Sequence, residues 1–175
     1  AIRFHESDVR PMGRTATGVK GMTLDDDSED YVVGMICMDP DSKDTILVVS
    51  EQGYGKRTML NDEDGEPVYR ITHRGGKGVK TLNITEKTGK LVAIKSVTDD
   101  NDLMIINKSG ITIRVKISDI RTMGRATQGV RLINLEKRND EIASVCKVNS
   151  EEEEEDVEIV LAEENEENLT EENEE

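Results

Sequence analysis

The sequence predicts an all-β, propeller-like array of about three four-stranded blades, followed by a disordered acidic tail. Three observations carry that prediction. A 23-residue motif occurs twice in register, short Val- and Ile-rich runs separated by acidic turns follow each copy, and no stretch offers a long amphipathic helix.

The repeat comes first. Residues 2–24, IRFHESDVRPMGRTATGVKGMTL, align without a gap on residues 113–135, IRVKISDIRTMGRATQGVRLINL, with 11 of 23 positions identical. A looser copy lies between them. Gly53 precedes Arg57 by four residues, as Gly110 precedes Arg114. A six-residue insertion around Asp62–Pro67 follows, and then RGGKGVKTLNI at 74–84 answers the two Gly-Val segments. The repeats run approximately over 2–52, 53–109 and 110–162, with an acidic tail at 163–175. Each copy supplies a first apolar run (Tyr31–Met38, Leu91–Val97, Ile142–Val148) and a second (Ile46–Val49, Leu103–Ile106, Val157–Leu161). These read as strands. In 111–117 the alternation is strict, with Ile111, Ile113, Val115 and Ile117 on one face and Thr112, Arg114 and Lys116 on the other. A closed ring typically needs about four to eight blades, so three repeats are expected to be part of something longer. Ala1, which is not Met and directly precedes the strand-like Ile2-Arg3-Phe4, fits that expectation.

Charge follows the same division. The 175-residue chain carries 38 acidic and 23 basic residues, a formal net charge of −15. After Ser150 there are fifteen Asp and Glu and no Lys or Arg, so residues 1–150 are balanced. A neutral body can therefore present a positive rim despite the acidic total. No apolar run approaches a membrane span, and no signal peptide is evident. Cys37 and Cys146 match no disulfide framework or metal spacing and are expected to be buried thiols in a reducing compartment.

The recurrent residues are basic and small. Arg10 and Arg121 correspond, as do Arg14 and Arg125, and Lys20 and Arg131; the middle copy adds Lys56, Arg57, Arg74, Lys77 and Lys80. These eleven are the candidate DNA-binding residues. Arginine forks onto phosphate oxygens, and glycine lets a phosphate approach main-chain N–H groups. The competing reading is architectural, with Arg pairing the repeated Asp8 and Asp119 and Gly supplying tight turns. Arg3, Arg57 and Arg114 lie on strands, where surface ion pairing competes most strongly. Arg14, Arg74, Lys77 and Arg125 sit in Gly-flanked loops that favour phosphate. The acidic turns Asp25–Asp30, Asp39–Asp44 and Asp99–Asp102 are expected to cluster elsewhere.

With few aromatics and no helix-turn-helix or zinc-finger spacing, base reading is disfavoured. Backbone contact and bending of duplex is the expected mode. Catalysis has little support. His5 and His73 read as surface histidines and Tyr31, Tyr54 and Tyr69 as packing residues, no catalytic or metal site is assigned, and RGGKG lacks the GxxxxGK[ST] phosphate-loop pattern.

The segments SDVRPMGRTATGVKGM, SEQGYGKRT and SDIRTMGRATQGVRLINL, over essentially residues 1–148, resemble the C-terminal domain of the bacterial DNA gyrase A protein. The resemblance implies a six-bladed β-pinwheel that wraps double-stranded DNA around a basic rim and supports ATP-dependent negative supercoiling. It implies no cofactor for this part. ATP and Mg2+ would act elsewhere in a cytoplasmic, nucleoid-associated A2B2 holoenzyme containing the gyrase B protein and a second copy of the gyrase A protein. The fragment itself would be non-catalytic within an ATP-hydrolysing type II topoisomerase. His73–Gly78 is similar to the family's Q-R-R-G-G-R-G wrapping box but lacks the leading Gln-Arg, so phosphate contact is carried over to Arg74, Lys77, Arg14 and Arg125 rather than the box itself. The alternatives are the C-terminal domain of the A-type protein of topoisomerase IV and a protein-interaction propeller fragment.

Overall fold

The computed structural model describes residues 1–25, 29–135 and 140–150. Among these residues there are seven strands: β1 (Thr45–Ser50), β2 (Tyr54–Met59), β3 (Leu91–Val97), β4 (Asn101–Asn107), β5 (Thr112–Lys116), β6 (Val130–Arg131) and β7 (Ile142–Asn149). The helical elements among the described residues are two single 3-10 turns, Glu6–Asp8 and Ile117–Asp119, both at the recurrent Ser-Asp or its flank.

The strands form two antiparallel sheets, ordered β3-β1-β2-β6 and β5-β4-β7. Their registers show one plan used twice. A hairpin turns at Gly53 (φ +80°) or Gly110 (φ +87°), and the following first apolar run pairs on the hairpin's other side. Each sheet therefore crosses repeat boundaries. The larger draws β1 from the first copy, β2 and β3 from the second, and β6 from the third.

The central strand β1 is buried along its whole length, and its alternation divides it between two cores. Leu47 and Val49 pack with Val97, Leu103, Ile105, Ile117 and Ile142 between the sheets. Ile46 and Val48 face Leu60, Tyr69 and Leu82, with Ile36 and Met38 against that cluster. A strand buried on both faces needs apolar residues at successive positions, which Ile46-Leu47-Val48-Val49 supplies.

Two expectations are corrected. Tyr31–Met38 is not a strand, and Tyr31, Val32 and Met35 are exposed. Its counterparts β3 and β7 lie against β1 and β4, and among the described residues no strand occupies the corresponding place beside 31–38. Cys37 and Cys146 are exposed rather than buried, Cys37 in that non-strand segment and Cys146 on strand β7. Val157–Leu161 and the acidic tail lie outside the described residues.

Candidate nucleic-acid interface

The three Arg/Gly loops, residues 10–20, 70–80 and 121–131, are built alike, and the second and third dock on the starts of the repeats by a common joint. In the second, Val79 N–H donates to Ala1 O (2.7 Å), the Ala1 ammonium donates to Val79 O (2.7 Å), and Thr72 N–H donates to Arg3 O (2.9 Å). In the third, Val130 pairs with Gly55 and Arg131 with Tyr54, while Met123 N–H donates to Arg57 O (2.8 Å). Parallel bridges Arg3–Ile71 and Arg57–Thr122 close both joints in the same way. The glycine before each valine enters with positive φ, +78° at Gly78 and +81° at Gly129. A Cβ at Gly129 would stand 2.6 Å from Gly55 O, and one at Gly78 would collide with Ala1 O. Only glycine permits this approach.

The loops also touch one another in chain order. Arg74 Nη1 donates to Lys20 O (3.2 Å), and Arg125 Nη1 donates to Lys80 O (2.9 Å). Thr23 N–H donates to Gly76 O (2.9 Å), answered by Asn83 N–H to Thr127 O (3.0 Å). The same two bonds thus join loop one to two and loop two to three. Arg14, Arg74 and Arg125 consequently lie along one continuous row of loops.

The eleven candidate residues divide within this row. Arg10, Arg14, Lys20, Lys77, Lys80, Arg121 and Arg131 are exposed. Arg74 and Arg125 are half-buried. Arg74 also donates from Nε to Asp8 O (2.9 Å), so both guanidiniums fix loops as well as carrying charge to the row. Lys56 and Arg57 are corrected as surface contacts. Lys56 is 0% exposed and its ammonium donates to Gly124 O (2.5 Å), Arg125 O and Thr127 Oγ1 (3.1 Å). It holds the third loop from beneath. Desolvation, with the Arg125 charge adding to it, pushes its pKa down to about 8. Arg57 is buried, paired with Asp99 and donating from Nε to Ile120 O (2.7 Å). Both lie on β2 beneath the third loop, so the docking that builds the row removes them from solvent.

The acidic turns are not wholly segregated. Asp25 meets Lys77 at 3.1 Å, with both side chains exposed, and Asp99 takes Arg57. Sequence reasoning offered Asp8 as an architectural partner of arginine and gave Tyr54 only a packing role. Asp8 Oδ2 accepts from Arg74 N–H (3.3 Å) and lies 3.2 Å from His73 Nδ1. Tyr54 accepts from Arg131 Nη2 at its hydroxyl (3.0 Å) and carries the Arg131 guanidinium 5.5 Å from its ring centroid. The recurrence of Asp8 as Asp119 carried the expectation for the first, and the contact with Arg74 bears it out; nothing local marked the Arg131 contact of the second.

A short β-array of recurring units with a row of basic loops along one edge defines a repeat protein of the propeller-like class. A family model described as DNA gyrase C-terminal domain, beta-propeller, matches residues 1–37, 44–62, 68–98 and 101–149. This chain belongs to the DNA gyrase A C-terminal domain family. It is 49% identical over 165 residues to the DNA gyrase A protein of Staphylococcus aureus strain MRSA252, a match covering 93% of this chain and 18% of that protein. A second relative, the DNA gyrase A protein of S. aureus strain NCTC 8325 / PS 47, is 50% identical over 155 residues, covering 88% and 16%. The chain therefore spans less than a fifth of the length of these relatives. Among solved structures, the C-terminal domain of DNA topoisomerase IV superposes with TM-score 0.72 at 24% identity, over 92% of this chain and 47% of that one. A DNA gyrase A C-terminal domain superposes with TM-score 0.62 at 25% identity, over 82% and 45%. The fold is thus all-β and shared with these domains.

Proposed function

We propose that this chain is a duplex-DNA-binding and DNA-wrapping module of a DNA gyrase A protein, supporting ATP-dependent negative supercoiling by the holoenzyme and carrying no catalytic residue itself. The observation that supports the reading most directly is the unbroken row of three loops with exposed cations. A duplex laid along such a row meets positive charge at successive positions and is bent toward it, without need of base contacts. Arg74 and Arg125 serve twice, fastening neighbouring loops and adding charge at the seams. In the cell the module would act within a cytoplasmic complex of two gyrase A and two gyrase B proteins, with ATP and Mg2+ handled by other parts of that assembly. The near 50% identity to gyrase A proteins favours this over topoisomerase IV.

The test neutralises exposed cations that build no joint. Replacing Arg14, Lys77, Lys80 and Arg121 with Gln should weaken duplex retardation and flatten the log–log salt slope by ~3.6, at about 0.9 per phosphate contact. An unchanged affinity at equal salt would refute phosphate contact along the row. Removal of residues 163–175, which hold eight carboxylates and no base, should tighten DNA binding at low salt by relieving competition for the row.

A further inference from the structure

The two seams of the row, between loops one and two and between loops two and three, are joined by the same bonds but differ in charge. At the first seam carboxylates stand among the cations. Asp8 lies against Arg74, and Lys77 meets Asp25 at 3.1 Å. The second seam repeats these positions without the acids. Met12, Thr72 and Met123 hold one place in the repeat, so the residue four before it is Asp8 in the first copy and Val68 in the second. Val68 is packed on the cluster around Ile46 and Val48. Asp25 likewise gives way to Thr85: Gln128 Nε2 donates to Thr85 Oγ1 (3.1 Å), where Lys77 reaches Asp25 Oδ1. Arg74 engages Nε and Nη1 on carbonyl oxygens, whereas among the described residues Arg125 engages Nη1 alone, on Lys80 O. Among the described residues no carboxylate, that of Glu86 included, lies within 4.0 Å of a charged nitrogen of Lys80, Lys87 or Arg125.

We propose that the second seam is the phosphate anchor of the row, with Arg125, Lys80 and Lys87 holding the duplex backbone, while the first seam binds it more weakly. The inference rests on reading the chain as a duplex-binding module. Lys87 belongs to none of the three loops. It comes from the turn that Gln128 fastens, and its ammonium lies 5.6 Å from the centroid of the Tyr54 ring. Tyr54 and Lys56 alternate on one face of β2, and the Lys56 ammonium donates to Arg125 O. Lys87 and Arg125 therefore stand over neighbouring positions of one strand. A phosphate there meets two exposed ammoniums and a guanidinium that still has Nε and Nη2 to offer, and a guanidinium can fork onto phosphate oxygens. At the first seam a phosphate must draw Lys77 away from Asp25 and then remain beside the carboxylate. Both side chains of that pair are largely exposed, so the penalty is a few-fold in affinity rather than a block. The duplex is thus held unevenly along the row, more tightly between loops two and three.

Anisotropy of a fluorescent duplex at one low salt concentration compares charge-matched variants of the chain. Lys80→Gln with Lys87→Gln should weaken binding about threefold or more beyond Lys20→Gln with Lys77→Gln, although each pair removes two exposed ammoniums. Because all four side chains are exposed, far-ultraviolet spectra and melts should match the parent. Exchanging the acids tests the cause. Asp25→Asn should tighten binding about threefold in the parent and leave Lys77→Gln unchanged. Thr85→Asp, which keeps an acceptor for Thr88 N–H, should weaken binding by a similar factor of about three. A parent chain that does not bind duplex would refute the DNA reading and the anchor with it. Binding with equal losses from the two lysine pairs, or silence of either acid exchange, would overturn the anchor and leave the DNA reading standing.

Discussion

The second and third loops share a backbone joint but not the chemistry beneath it. Loop 70–80 rests over Ile2, whose Cδ1 lies 3.5 Å from where a Cβ of Gly76 would stand. Loop 121–131 rests over Lys56, whose ammonium gathers oxygens from Gly124, Arg125 and Thr127. Beneath one loop a methyl packs against glycine; beneath the other a buried cation is caged by oxygens. The main-chain pairing and the glycine set the joint, and the residue underneath sets how firmly the loop is fixed and how it responds to pH.

The comparison is broken most severely at the glycine. Gly129→Val should destabilise the chain by more than about 3 kcal/mol, because the side chain would require φ +81° and strike Gly55 main chain. Gly18→Val, with a similar φ and open space, should cost only about 1 kcal/mol, read in the same urea titrations. Equal losses would show that strain at positive φ, not close approach, is what glycine relieves.

Next comes the clamp. Lys56→Met removes a donor from three acceptors and should cost about 2–3 kcal/mol, with faster amide exchange over 121–131 and little change over 70–80. Uniform exchange across both loops would mean that Lys56 does not act locally. The same residue gives a pH signature. Folded Lys56 releases its proton near pH 8, whereas the unfolded chain retains it to about 10.5. Between those values the unfolded state binds more protons, so stability relative to Lys56→Met should climb with pH, by roughly 1–3 kcal/mol. Below about 8 both states are protonated and the difference should be flat. A difference that falls with pH over that window would reverse the assignment. The smallest effect is at the seams. Arg125→Ala should cost about 1 kcal/mol through the bond to Lys80 O, chiefly loosening the contact between loops.

The internal repeat made much of this legible. Short Val/Ile runs gave β1, β3, β4, β5 and β7 nearly in place, because a strand needs little more than alternation or continuous burial between turns. Tyr31–Met38 has the same composition and is not a strand, since a strand exists only when a neighbour takes its hydrogen bonds. At the interface, the correspondence of Arg14, Arg74 and Arg125 was visible at the level of the repeat, and the bonds between successive loops put them in one row. The depth of Lys56 and Arg57 was not visible. Both belong to a motif that repeats as a surface strand at Arg114, and only the loop folded over them removes them from water.

Local preferences were enough to decide where most strands and turns fall, and the recurrence of Arg and Gly was enough to point to a basic edge, because both depend on near neighbours along the chain. Which strands share a sheet and which cations face solvent were decided by tertiary packing. Hydrogen bonds across repeat boundaries and desolvation of a charge are set by residues distant in sequence, and the chain reveals them only once folded.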